Sequence, residues 1–306
     1  MTKFKLLSPL LLCLAAAPVA AQTQRHAHFS EWVKTAGAQV RLVTAPVTDR
    51  RPEIWQSAGI EIRLDQDAKT YWRSPGDSGV PPTISFAESK GVHQFTLRFP
   101  TPIAFDDGAG GVAIGYRESL ILPVWYRFLP PPVQQVSSGG FFSRKVDPPP
   151  VVAPKLALTI DFGVCVKAMC MPAQAALAAE PGQGPLEAGL GDRLIDAFRR
   201  VPAQKKIGDE GPVGLSALTV RRTGDKVEYS VSVRVGVETG SAAVFVEAKD
   251  AYVGKMLGAP IGGSAMFRAE GRHAPDAPLG EGRITVVTAT QAIEVKVDLD
   301  AAARGP

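Results

Sequence analysis

Leu156, Leu158, Ile160 and Phe162 alternate with Lys155, Ala157, Thr159 and Asp161, and the same rhythm recurs along most of the chain. A period of two is the signature of a half-buried β-strand, because successive side chains on a strand point to opposite faces. From Ala38 the repeats are short: residues 39–44, 59–64, 69–72, 92–99 and 118–125. Val40, Leu42, Ile60, Ile62, Leu64, Phe95, Leu97 and Phe99 mark the faces that go inward. Between the repeats stand Pro75-Gly76, Pro81-Pro82, Pro100, Pro102 and Asp106-Asp107-Gly108, all turn chemistry. Strands at this spacing, with no long helical pattern between them, predict a mostly β protein built on an antiparallel sandwich.

The N-terminus has the form of an export signal. Lys3 and Lys5 supply the charged region, residues 6–17 the apolar stretch and Val19-Ala20-Ala21 the small-residue cleavage site, with Cys13 leaving alongside. The apolar stretch is shorter than the roughly 20 residues a membrane helix needs, so no stable membrane insertion is expected. Loss of residues 1–21 removes two lysines and no acid, which lowers the formal charge from +4 to +2. So mild a charge argues against nucleic acid or an anionic membrane as partner.

Four segments follow: a signal peptide at 1–21, a sandwich domain at 22–180, a linker at 181–191, and a short helix with a smaller β-rich domain at 192–306. Asp192 is placed to cap the helix, with Leu194, Phe198 and Val201 on one face and Pro202 ending it. In the last segment Val227, Tyr229, Val231, Val233 and Val235 alternate, as do Ile293, Val295, Val297 and Leu299, and residues 241–248 and 283–288 predict further strands. Residues 129–154 break the rhythm with two proline triplets around Phe141-Phe142, which reads as an exposed insertion or as an apolar flap near the thiols.

Chemistry concentrates at Cys165 and Cys170, the two cysteines beyond the signal. Gly163 interrupts the strand pattern and Pro172 lacks a backbone donor, so a turn is expected at this point. In an exported chain the pair can serve as an exchangeable dithiol or as a structural staple. Lys167 between them can favour a thiolate. With Met169 and Met171 the cysteines also form a soft ligand set for Cu(I), which would make the chain a non-enzymatic binding or scaffold protein. No other cofactor is implied. His26 and His28 are read as part of a frayed terminus, and His93 and His273 as structural or solvated residues. Tyr71-Trp72-Arg73 can be a core plug or a surface packed beside the thiols.

Several motifs in order resemble one family. Tyr71-Trp72-Arg73-Ser74-Pro75-Gly76-Asp77-Ser78-Gly79-Val80-Pro81-Pro82, then Gly115-Tyr116, Leu120-Ile121-Leu122-Pro123-Val124 and Cys165-x4-Cys170-Met171-Pro172-Ala173 are similar to the N-terminal periplasmic domain of the DsbD/ScsB family, over roughly residues 30–180. The resemblance implies an immunoglobulin-like sandwich that relays electrons as a protein-disulfide reductase component, in ScsB with a link to copper tolerance. It implies that Cys170 forms the mixed disulfide and Cys165 resolves it. It further implies a periplasmic thioredoxin-like partner and a separate membrane electron carrier. Met169, Met171 and Phe141-Phe142 are expected to form the contact surface.

Overall fold

A computed structural model describes residues 24–108, 110–130, 152–166, 169–236 and 242–304. The residues read as a signal peptide, Phe141-Phe142 and Lys167 lie outside the described residues. The described residues are mostly β, as the alternation predicts, and form three sheets.

The first sheet runs Leu186–Ala188, His26–Phe29, Ala38–Thr44, Gln56–Leu64, Ser119–Phe128 and Val92–Leu97, with Val33–Thr35 paired to Ala38–Thr44. The second runs Met169–Ala179, Leu156–Val166, Ala68–Gly76, Val112–Arg117 and Ile103–Asp106, with Thr83–Ser85 paired to Leu156–Val166. Their inner faces share one core. Val40, Leu42, Ile60, Ile62, Leu122, Val124 and Tyr126 meet Trp72, Ile114, Leu158, Ile160, Phe162 and Val164 in it. Every named pairing in these two sheets is antiparallel, giving the sandwich.

Val43 and Ile121 belong to the opposite face of the first sheet, yet they too are buried. The helix Leu190–Arg199 covers them: Leu190, Leu194 and Ala197 pack with Ala27, Val43 and Ile121. Two ion-paired arginines reinforce this side. Arg41 bonds Glu61 at 2.6 Å and Glu187 at 2.8 Å, and Arg193 of the helix reaches the same two carboxylates. Asp192 is not the cap. The cap is three residues earlier, at Gly189 with φ 78°, so the helix starts at Leu190, and Asp192 instead accepts from the backbone N–H and guanidinium of Arg25. Docking of Leu190 decides the start, because burying that side chain outweighs one capping bond.

Residues 203–298 form the third sheet, in the order Ala203–Lys205, Ala292–Asp298, Glu281–Thr288, Ala242–Glu247, Ala251–Met256, Ser264–Arg272, Lys226–Arg234 and Gly214–Thr223. Residues from both halves of it share a core, among them Tyr229, Val231, Val244, Val246, Ile284 and Val295, so the sheet curls on itself. Phe245 is turned differently, into the core of the sandwich, where its ring lies 5.8 Å from that of Trp72. Ala243, Val253 and Val287 pack around that same sandwich core.

His26 and His28 are not frayed. They sit in a strand paired on both sides, and His28 Nδ1 lies 3.0 Å from the Gly184 carbonyl. The ladder to Leu186–Ala188 holds the terminus, a partner invisible in the local sequence. His93 lies in its strand, and His273 is buried against the Tyr229 hydroxyl at 3.1 Å.

Candidate redox site

Leu156–Val166 and Met169–Ala179 form one antiparallel hairpin in unbroken register, with Leu156 opposite Ala179 and Val166 opposite Met169. Cys165 and Cys170 are direct partners in this ladder, 4.0 Å apart at Cα, and are joined as a disulfide. The expected break at Gly163 is absent. The strand runs through Gly163, and Pro172 stands opposite it inside the second strand. Proline is tolerated there because Met169–Ala179 is the edge of its sheet and needs no donor on the outer side.

The two sulfurs have different surroundings. Cys165 is buried in a cluster with Tyr71, Phe105 and Ala113, whereas Cys170 is exposed. The Tyr71 hydroxyl lies 2.6 Å from Cys165 Sγ and 3.6 Å from Cys170 Sγ. A disulfide has no S–H, so the hydroxyl is the donor. Burial raises the Tyr71 pKa, and the charge of Asp107 pushes it the same way, so the proton stays on the phenol.

The residues around Tyr71 explain why the ring can lie there. Tyr71 is opposite Gly115 in the ladder to Val112–Arg117, while Thr70 and Lys69 stand opposite Val164 and Cys165. A Cβ on Gly163 would come within 3.2 Å of the ring, so the bare backbone gives the phenol a floor. Residues 75–82 then fold over the ring. Asp77 anchors this loop by a pair of bonds to Val112, at 2.8 and 2.9 Å. Gly79, at φ 114°, lies so close that any Cβ would overlap the ring. On the other flank Phe105 packs against Cys165, with Lys69 and Arg117 held over its face at 4.8 and 5.4 Å.

Tyr71-Trp72-Arg73 is therefore both of the things its sequence allowed. Tyr71 seats the disulfide, Trp72 is fully buried in the core, and Arg73 pairs with Glu247 and Glu294 of the third sheet. Phe105 escaped the sequence reading because Ile103 and Phe105 alternate over too short a run, next to a stretch dominated by turn residues. Met169 and Met171 share the strand face opposite to Cys170 by simple alternation, so the two thioethers and that sulfur do not converge. Among the described residues there is no group of three or more His, Cys, Asp or Glu side chains arranged to hold a metal.

Fold and site together define a β-sandwich domain presenting a half-exposed cross-strand disulfide on the outer face of one sheet. Residues 52–181 match the family model described as thiol:disulfide interchange protein DsbD, N-terminal. The crystal structure of the N-terminal periplasmic domain of ScsB from Proteus mirabilis has the same fold, with a TM-score of 0.61 over 89% of this chain and 98% of that one, at 17% sequence identity. No curated protein matches the sequence.

Proposed function

We propose that this chain is a periplasmic thiol–disulfide exchange module in which Cys170 is the sulfur that partners attack and Cys165 the one that leaves. The observation that carries the reading is the asymmetry of the pair: Cys170 is exposed, and Cys165 is buried against a phenol proton. A partner thiolate attacks Cys170 Sγ, the S–S bond breaks, and its electron pair passes to Cys165. The hydroxyl of Tyr71 donates to the Cys165 thiolate as it forms, and solvent then supplies its proton. In the opposite half-cycle the Cys170 thiolate attacks a partner disulfide. Cys165 then attacks Cys170, releasing the partner reduced and leaving this pair oxidised.

The partners on this reading are a periplasmic thioredoxin-like protein and a separate membrane electron carrier. None of the described helices is long and apolar enough to cross a membrane. Val80, Ile103 and Val112 are exposed around the site and supply an apolar contact surface, with Lys69 and Arg117 beside it. Titration of the folded protein in a thiol/disulfide buffer, quenched by alkylation, tests the reading. A reversible two-electron transition at Cys165–Cys170 supports it. A pair that stays oxidised until the protein unfolds is a structural staple and refutes it.

A further inference from the structure

We infer that Arg73 is a positioning residue for the disulfide, through which the third sheet sets the place of Tyr71; the inference rests on the exchange reading above. The strand Ala68–Gly76 is held by ladders on both sides only at its start. Against Leu156–Val166 the pairing covers Ala68, Lys69 and Thr70 and goes no further. Against Val112–Arg117 it covers Lys69, Thr70 and Tyr71, and then slips, resuming at Gly76. Tyr71 thus occupies the last regular rung, and the next four residues have no place in either ladder.

What fixes those residues comes from the third sheet. Trp72 packs on Phe245. Arg73 bonds Glu247 through two nitrogens, at 2.9 and 2.6 Å, and also bonds Glu294. Ser74 adds a bond to Glu247 at 3.0 Å. Glu294 is held in turn by Gln204 at 2.9 Å. The carboxylates are buried, with side-chain exposures of 4% and 7%, and Arg73 is 23% exposed. A guanidinium forked between two such acids has little freedom to shift. Arg73 stands two residues beyond Tyr71 and its guanidinium lies 4.4 Å over the Trp72 ring, so a shift of the Arg73 end moves the segment that leads straight out of the rung carrying the phenol.

The third sheet is then more than an appended unit, because it forms part of the frame of the site. The test is the rate of disulfide reduction by dithiothreitol in the full chain, which needs no protein partner. The variant Arg73→Met/Glu247→Gln/Glu294→Gln removes the clamp without stranding a buried charge. It should slow reduction about tenfold, the scale of one charge-assisted hydrogen bond, while circular dichroism stays unchanged. Added to Tyr71→Phe, it should cause no further slowing, because both changes remove the same contact. Arg73→Lys keeps the charge but not the fork and should fall between, and it serves the same cycle if the triple variant does not fold. An unchanged rate in the clamp variants, or slowing that adds in full to that of Tyr71→Phe, overturns the inference while leaving the exchange reading intact. Absence of any effect in Tyr71→Phe overturns it too, and a wild-type pair that cannot be cycled overturns the exchange reading itself.

Discussion

The Tyr71 hydroxyl lies 2.6 Å from Cys165 Sγ, across two strands, and a full ångström farther from the exposed sulfur of Cys170. That difference gives the disulfide a direction. The sulfur with the proton donor is the better leaving group, and the sulfur without it is the one a partner can reach.

Replacing the donor should expose its contribution. A hydrogen bond to a charged group contributes about 1.5–3 kcal/mol, so Tyr71→Phe should slow reduction by a small thiol ten- to hundredfold on the order-of-magnitude scale of that bond. Stopped-flow reduction with dithiothreitol reads the rate, and an unchanged rate would remove Tyr71 from the mechanism.

Gly79 should tolerate no side chain. Its φ of 114° is strained for any L-residue, and a Cβ would overlap the Tyr71 ring. Gly79→Ala should cost about 2 kcal/mol in denaturant unfolding and slow reduction as Tyr71→Phe does. A stable, fully active variant would show that the 75–82 loop does not hold the phenol.

Alkaline pH supplies a third check. All five tyrosines, Tyr71, Tyr116, Tyr126, Tyr229 and Tyr252, have pKa values raised by burial. Each keeps its proton in the folded state above the pH at which the unfolded phenol ionises. Their contribution to stability is therefore complete below about pH 10 and declines as pH rises beyond it. Phenolate absorbance at 295 nm should rise together with the loss of circular dichroism. Titration of several tyrosines near pH 10 in the intact fold would contradict the burial assigned to them.

The sequence disclosed some of these relationships and hid others for physical reasons. Strands with large apolar residues on one face, such as Lys226–Arg234 and Ala292–Asp298, were plain from alternation. Met169–Ala179 was not, because alanines lie on both of its faces: Ala173 and Ala175 are buried, Ala176 and Ala178 exposed. Hydropathy carries no contrast there, and Pro172 argued for a turn. The helix was legible as a helix, but its place on the first sheet was not, since the residues it covers, Val43 and Ile121, lie far off in sequence. The cysteines were identified from compartment and spacing. Tyr71 was singled out without its role, because only the ladder reveals that its strand runs beside the cysteine-bearing one, with Lys69 opposite Cys165.

The asymmetry of the two sulfurs is tested most directly by the pair of single variants Cys165→Ser and Cys170→Ser, each mixed with an oxidised thioredoxin-like protein and analysed by non-reducing electrophoresis and mass spectrometry. Cys165→Ser should accumulate a stable mixed disulfide through Cys170, since the attacking sulfur remains and the resolving one is gone. Cys170→Ser should form little, its single thiol being buried beneath Tyr71 and Phe105. Equal trapping by both variants, or trapping through Cys165 alone, would contradict the account.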